Sequence, residues 1–217
     1  MDSYGFVYCV GTNLATGSTS LLLTKFSPEG SLIYNVSQGN SCSGSDIVID
    51  SNDSIYCVGS SSDFGTKGDV ILLKFSSNGT LIWRQTWGGL QSDIGTGIAL
   101  DNGSAIYCVG YTSSYGLRGN DFFILKYLPT GILIGYTIWD SGKDEFCEDI
   151  AIDNIDGSIY CGGYIVTNTN PWNEDFLLVK FSLSIEFKGQ SSGFFLFCVI
   201  CVLIAIVAVI FRLQRRN

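Results

Sequence analysis

The chain has 217 residues, no histidine and a net charge of −8 at pH 7. Without histidine, Ser-His-Asp and Cys-His catalysis and histidine-ligated metal sites are excluded. The segment before residue 194 carries twenty acidic and nine basic side chains. Because this charge repels phosphate backbones, no nucleic-acid partner is expected.

A five-residue pattern built around Tyr-Cys occurs four times along the chain. Its copies lie at residues 7–11, 55–59, 106–110 and 159–163, and their tyrosines are 48, 51 and 53 residues apart. A period of about fifty residues predicts an array of repeated structural units, either stacked or radial.

Three further patterns recur in a fixed order within each unit. An acid, four apolar residues and a lysine occupy 69–74, 121–126 and 175–180, and 20–25 is a variant that begins with serine. A turn followed by Leu-Ile occupies 79–83, with copies at 30–34 and 131–134, and a third apolar pattern occupies 46–50, 97–101 and 149–153. Short apolar runs bounded by Gly, Asn, Asp, Ser or Pro predict strands, so each unit is predicted to hold four short antiparallel strands.

The tyrosine pattern is apolar on both faces. In a strand, Ile55 and Cys57 point to one side and Tyr56 and Val58 to the other. A sheet that is apolar on both faces needs cover on both, which radially packed blades supply and a two-layer sandwich does not. The turn at Pro28 and the turn at Pro129 predict type I turns with a bulge, whereas 78–79 (Asn-Gly) predicts a tight hairpin with both residues at positive φ.

The order of these patterns resembles the SBBP-type β-propeller repeats over residues 2 to about 183. The resemblance implies a propeller of about four four-stranded blades, in units of roughly 1–45, 46–92, 93–144 and 145–187. The first unit begins at Asp2, the equivalent of Asp50, and therefore lacks its opening strand, and 182–185 has no turn glycine for a final strand. Strand counts of three, four, four and three or four allow a four-bladed ring with one thin blade or an open arc of a larger ring. An open arc would favour self-association through its uncovered edge.

Residues Phe194 to Phe211 contain no charge, glycine or proline. As a helix these residues would span about 27 Å, which is enough to cross a bilayer core. Residues 188–193 form the predicted stalk. The tail at 212–217 carries three arginines that predict a cytoplasmic C-terminus: Arg212, Arg215 and Arg216.

The topology has two interpretations. Four sequons favour a type I protein at the cell surface or in the secretory pathway, with candidate glycosylation at Asn35, Asn52, Asn78 and Asn102. Against this, Met1 is followed by a repeat and no signal peptide is recognisable, which is the pattern of a tail-anchored protein with its propeller in the cytosol. An incomplete N-terminus is a further alternative.

The cysteine and acidic patterns give one candidate disulfide and no complete calcium-binding loop. Four cysteines share one mid-strand repeat position and are predicted to be small buried apolar residues: Cys9, Cys57, Cys108 and Cys161. Cys42 and Cys147 lie between units and are the disulfide candidates, pairing with each other only if a ring closes. The spacings at 50–53 and 153–157 faintly resemble calcium loops but lack the full ligand set, so Asx turns are the expected structure.

We therefore predict a non-enzymatic, membrane-anchored binding or display module for a protein or glycan ligand. No catalytic residue, metal ligand or cofactor is predicted, apart from the calcium-like spacings at 50–53 and 153–157. The bilayer is the other expected partner. An acidic run supplies the enzyme alternative, a propeller-type hydrolase with paired carboxylates: Asp144, Glu145, Glu148 and Asp149. A fragment of a larger propeller protein is the remaining alternative.

Overall fold

The computed structural model describes residues 1–15, 17–63, 67–117, 119–167, 174–182 and 187. These residues form fourteen antiparallel strands in four sheets and no helix, so the all-β prediction is confirmed for this part of the chain. The first two sheets contain β1 (Val7–Ala15), β2 (Ser18–Phe26), β3 (Leu32–Gln38), β4 (Cys42–Ile49), β5 (Ile55–Ser61), β6 (Asp69–Phe75) and β7 (Leu81–Trp87). The last two contain β8 (Asp93–Leu100), β9 (Ile106–Thr112), β10 (Asp121–Tyr127), β11 (Leu133–Trp139), β12 (Asp144–Ile152), β13 (Ile159–Val166) and β14 (Glu174–Phe181).

Within each sheet, strands that follow one another in sequence are neighbours. The sheets are β1–β3, β4–β7, β8–β11 and β12–β14, so they hold three, four, four and three strands among the described residues. The tyrosine pattern forms β1, β5, β9 and β13. Strands β4, β8 and β12 each pack against the preceding sheet, and β8 also packs against β4 and β12. This blade-like arrangement is consistent with a propeller-type repeat.

The two faces of each middle sheet belong to different cores, as the alternation predicted. Ile55 and Cys57 face the first sheet, whereas Tyr56 and Val58 face the third. The described residues contain three such cores, one between each successive pair of sheets, and they do not form a closed ring. Because each core is built from sheets adjacent in sequence, the array is held together by nearest-neighbour contacts.

The turns between the second and third strands of the first three units share one geometry. The register shifts by one residue after Lys25, Lys74 and Lys126, and the following glycines all have positive φ. The type I turn with a bulge is thus confirmed at both prolines. The tight hairpin predicted at 78–79 is wrong, because only Gly79 of that pair has positive φ and Ser76 closes the same turn as in the other units.

A repeated Asp-Tyr-Lys contact explains why these residue types recur. The Asp50 carboxylate accepts the N–H groups of residues 52 and 54, and the Tyr56 hydroxyl donates to it at 3.0 Å. The Lys74 ammonium lies 4.9 Å from the centre of the Tyr56 ring. Asp2 and Asp101 accept the same three kinds of bond, so this contact closes the turn before the tyrosine strand in three of the four sheets.

No helix in the described part of the chain is long and apolar enough to cross a membrane. The predicted span from Phe194 to Phe211, the stalk at 188–193 and the tail arginines Arg212, Arg215 and Arg216 lie outside the described residues.

Candidate functional site

Three carboxylates meet at one end of the third and fourth sheets. Asp121 begins β10, Asp140 directly follows β11, and Glu145 is the second residue of β12. One carboxylate oxygen from each of the three lies within 4.8 Å of the others. We call this group the acidic junction.

Two of the three carboxylates are buried and only partly hydrogen-bonded. Asp121 is 1% exposed and Glu145 is fully buried, and Asp121 Oδ1 and Glu145 Oε2 have no hydrogen-bond partner among the described residues. The other Glu145 oxygen, Oε1, accepts the N–H and the hydroxyl of Ser141. Since a buried acceptor without a donor is costly, these two oxygens require a partner.

Asp140 is half-buried and is oriented by main-chain donors. Its Oδ2 accepts the Leu117 N–H at 3.0 Å and its Oδ1 accepts the Gly142 N–H at 2.7 Å. In the same loop as Leu117, Gly116 has φ of +104° and packs so closely that a Cβ there would overlap the Asp121 carboxylate. The backbone of two loops therefore holds the carboxylates close to each other.

Proximity and burial perturb the titration of this group. Burial raises the pKa of Asp121 to about 7, and the neighbouring charges of Asp140 and Glu145 add to the effect. Burial also raises the pKa of Glu145, against the hydrogen bonds from Ser141. The described ion pairs, Lys25–Asp2, Arg84–Asp63 and Lys180–Asp156, all lie elsewhere. The junction thus holds negative charge at a cost that a cation or a proton would relieve.

The equivalent position between the second and third sheets is satisfied differently. There Asp93 pairs across the strands with Thr112, whose hydroxyl donates to Asp93 Oδ1. Asp93 Oδ2 also accepts the Ser114 hydroxyl at 2.7 Å and the Gly89 N–H at 2.8 Å. In the acidic junction Glu145 pairs instead with Ile165, which offers no hydroxyl.

The loop residue differs as well. Gly88 follows β7 in the second sheet, whereas Asp140 follows β11 in the third. A Cβ at Gly88 would come within 2.6 Å of the carboxylate oxygens of Asp69 and Asp93. The third unit therefore adds a carboxylate at a place where the second unit leaves room only for glycine.

Cys42 occupies the same position at the start of β4, and its role corrects the predicted disulfide. Cys42 and Cys147 are both free, buried thiols, and they belong to different cores. The Cys42 thiol lies 3.1 Å from the Ser61 hydroxyl, and the Asp63 carboxylate is 3.3 Å away. Since each thiol is enclosed by its own core, the two do not pair.

The repeat-position cysteines follow the prediction with one exception. Cys57, Cys108 and Cys161 are at most 2% exposed. Cys9 is exposed, because the face of the first sheet on which it stands has no sheet packed against it among the described residues.

The four sequon asparagines are all exposed. Asn35 stands in β3 and the other three stand in turns. Asn102 Nδ2 donates to the carbonyl of residue 154 at 2.8 Å, and Asn78 Oδ1 accepts from the N–H of residue 80. Exposure is compatible with a glycan at each site, and glycosylation stays a prediction.

The calcium-like spacings form Asx turns. Asp50 has the bonds described above, and Asp153 Oδ1 accepts the N–H of residue 155 at 2.8 Å. The acidic run separates: Glu145 enters the junction, whereas Glu148 and Asp149 are exposed beside a bulge in β12. Asp144 lies next to the junction, where it accepts the Asn120 N–H.

The sequence patterns did not predict the junction, because Asp121 appears in them only as the first residue of a recurring strand pattern and Asp140 belongs to none of them. Aligning the loops that follow β7 and β11 would have shown an acid in place of a glycine. The strand pairing that puts Ile165 opposite Glu145 was not recoverable from the repeats alone.

No protein-family model matches the chain, and no curated protein matches it. Among solved structures, a crystal structure of a protein of unknown function from Bacteroides caccae is similar, with a TM-score of 0.35 and 8% identity. The alignment covers 77% of this chain and 74% of that chain. A likeness at this level carries no information about activity.

Proposed function

We propose that this chain is a membrane-anchored, non-enzymatic binding module of SBBP-type propeller repeats, and that the uncovered faces of its end sheets bind the end sheets of a second copy. The anchor is the apolar segment 194–211, with the repeats at the cell surface or in the secretory pathway. The observation that carries the binding role is that no other sheet among the described residues packs against one face of the fourth sheet.

On that face, large apolar side chains are exposed. Phe176 is 49% exposed and Leu178 is 36% exposed. Their equivalents in the third sheet, Phe122 and Ile124, are at most 1% exposed because the fourth sheet covers them. A Cβ at Gly162 would meet no atom within 4 Å. Such an apolar surface favours a partner that excludes water from it.

The first sheet offers the complementary surface. Its exposed Cys9 is the equivalent of Cys57, which packs against the preceding sheet. A Cβ at Gly11, on the same strand, would again meet no atom within 4 Å. The fourth sheet of one copy and the first sheet of another would therefore repeat the contact that already joins successive sheets within the chain. Contacts of this head-to-tail kind either close into a ring or extend.

Cross-linking of the full-length chain in membranes tests this arrangement. A Leu178→Cys variant places a thiol on the fourth-sheet face, and a docked copy would bring its Cys9 to the same interface, because the equivalent residues Ile124 and Cys161 share one core. Mild oxidation with a copper catalyst is expected to give a disulfide-linked dimer, which Phe176→Arg in the same chain would abolish. The matched control is Ile155→Cys, since Ile155 is 97% exposed and lies in a turn away from this face. Equal cross-linking of the two cysteine variants, or none in either, would refute the docking.

Topology is tested separately by an endoglycosidase mobility shift on the full-length chain expressed in a eukaryotic cell. A shift that is lost when the four sequon asparagines are changed to Gln would support the type I arrangement. A membrane-bound chain without a shift would favour the tail-anchored alternative, with the repeats in the cytosol.

The acidic junction is a poor active site, which supports a non-enzymatic role. A glycosidase needs two carboxyl groups about 5–10 Å apart on either side of a substrate. Asp121 and Glu145 are almost completely buried, and their oxygens lie closer together than that. A sugar would have to reach groups that solvent does not reach.

A further inference from the structure

We propose that the acidic junction binds a divalent, oxygen-seeking cation of calcium size, which ties the third sheet to the fourth. The ligands would be one carboxylate oxygen each from Asp121, Asp140 and Glu145. This site is separate from the uncovered faces of the end sheets, so either proposal can fail without the other.

The donor set determines the class of cation. All three groups are carboxylates, which are the hard oxygen ligands that calcium and magnesium prefer. Calcium binds oxygen at about 2.3–2.6 Å, so two ligand oxygens on opposite sides of the ion are about 4.6–5.2 Å apart. The oxygens here lie within 4.8 Å of one another. This limit accommodates either ion, and calcium is the better candidate because magnesium usually keeps several waters, for which a group of buried carboxylates leaves little room.

Two orphaned oxygens supply the independent observation. Asp121 Oδ1 and Glu145 Oε2 belong to side chains that are at most 1% exposed, and both oxygens lack a hydrogen-bond partner among the described residues. Where the same position is occupied by Asp93, the Thr112 and Ser114 hydroxyls and the Gly89 N–H supply three donors. In the acidic junction the Ser141 N–H and hydroxyl both bond to Glu145 Oε1, no hydroxyl stands opposite Glu145, and Asp140 adds a carboxylate, so a cation would take the place of the missing donor.

The position of the site gives the ion a structural role. Asp121 and Asp140 stand at strand ends of the third sheet, and Glu145 stands in the fourth. Among the described residues the fourth sheet has three strands, and no other sheet packs against one of its faces. An ion shared between the sheets would add to the single apolar core that joins them.

Calorimetric titration and thermal unfolding of the EDTA-treated full-length chain test the proposal. We expect one calcium ion per chain and a rise in the unfolding temperature of about 5 °C at a calcium concentration near 100 times Kd. Asp140→Asn should weaken calcium binding at least about tenfold. Glu148→Gln is the matched control, because Glu148 is an exposed carboxylate on the same strand as Glu145, and it should bind as the wild type does.

A repeat-swapped variant separates loss of the ion from loss of the fold. Asp140→Gly with Ile165→Thr gives this junction the glycine and the hydroxyl of the preceding one. This variant should unfold in EDTA within a few degrees of the wild type and no longer respond to calcium. A wild type that neither binds calcium nor gains stability from it would overturn the proposal.

Discussion

Replacing Tyr56 by Phe removes one hydroxyl from the repeated Asp-Tyr-Lys contact and leaves the ring in place. Tyr56 is fully buried, and its hydroxyl donates to Asp50 Oδ2 at 3.0 Å. Asp50 is only 8% exposed, and its Oδ1 already accepts two N–H groups at 2.9 Å each. The substitution therefore strands one carboxylate oxygen in a site that water scarcely reaches.

A hydrogen bond to a charged group contributes about 1.5–3 kcal/mol, and an unsatisfied buried acceptor costs a similar amount. The Lys74 ammonium, 4.9 Å from the ring centre, keeps its contact with a phenyl ring. We therefore expect Tyr56→Phe to lower the free energy of unfolding by about 2 kcal/mol. With a urea dependence of about 2 kcal/mol per molar, the midpoint should fall by about 1 M.

The fourth repeat supplies the control for this experiment. Asp153 precedes Tyr160 by one residue more than in the other repeats, and the described residues show no hydrogen bond between them. Tyr160 is also half-buried, so Tyr160→Phe should change the free energy of unfolding by less than about 0.5 kcal/mol. Urea unfolding followed by tryptophan fluorescence measures both variants. Equal losses at the two positions would contradict the role assigned to the Asp50 bond.

Three further outcomes are expected. Trp87→Ala should lower the free energy of unfolding by about 3–5 kcal/mol, because the centres of three aromatic rings lie within 5.5 Å of the Trp87 ring centre. Trp139 is half-buried, so Trp139→Ala should lower the free energy of unfolding by less in the same urea assay. Because the pKa of Asp121 is raised to about 7, its protonated form adds to the stability of the calcium-free chain fully below about pH 4. This added stability is lost as the pH rises through about 7. Asp121→Asn should therefore remove this pH dependence from the urea midpoint. Cys9→Ser should remove the fast-labelling thiol of the repeats in a maleimide assay, since Cys57 and Cys108 are buried and burial raises their pKa.

The repeat architecture could be predicted because the same physical requirement recurs in every unit. A strand with apolar residues on both faces must be covered twice, and Tyr56 and Cys57 do face different cores. The number of strands in each sheet could be predicted as well, since each strand corresponds to one recurring pattern that can be counted in the sequence. The turn at Gly79 was mispredicted because an Asn-Gly pair fits two hairpin geometries, and the one-residue bulge after Lys74 selects between them.

The acidic junction could not be predicted because its members are distant in sequence and belong to two sheets. Which strand ends meet depends on how the sheets pack, and the tyrosine pattern does not encode this. Glu145 was grouped with its sequence neighbours Glu148 and Asp149, yet alternation and a bulge send those two outward. A run of acidic residues in the sequence therefore predicts a site less well than an acidic residue at a position where the equivalent residue of another repeat is uncharged.

Differences between repeats are where a specific property is most readily located. Positions that recur with the same contact in three of the four units, such as Asp50 and Tyr56, are accounted for by the turn they close. At the start of the first strand of successive sheets, however, the chain places Cys42, Asp93 and Glu145 in turn. The residues opposite the first two, Ser61 and Thr112, carry hydroxyls, and only Glu145 faces an aliphatic side chain. A buried carboxylate that lacks the cross-strand hydroxyl donor, and beside which Asp140 adds a third carboxylate, is costly to bury without a counter-charge. Compared with the preceding junction, this one has the extra carboxylate of Asp140 and no hydroxyl at residue 165. The proposed cation explains both differences.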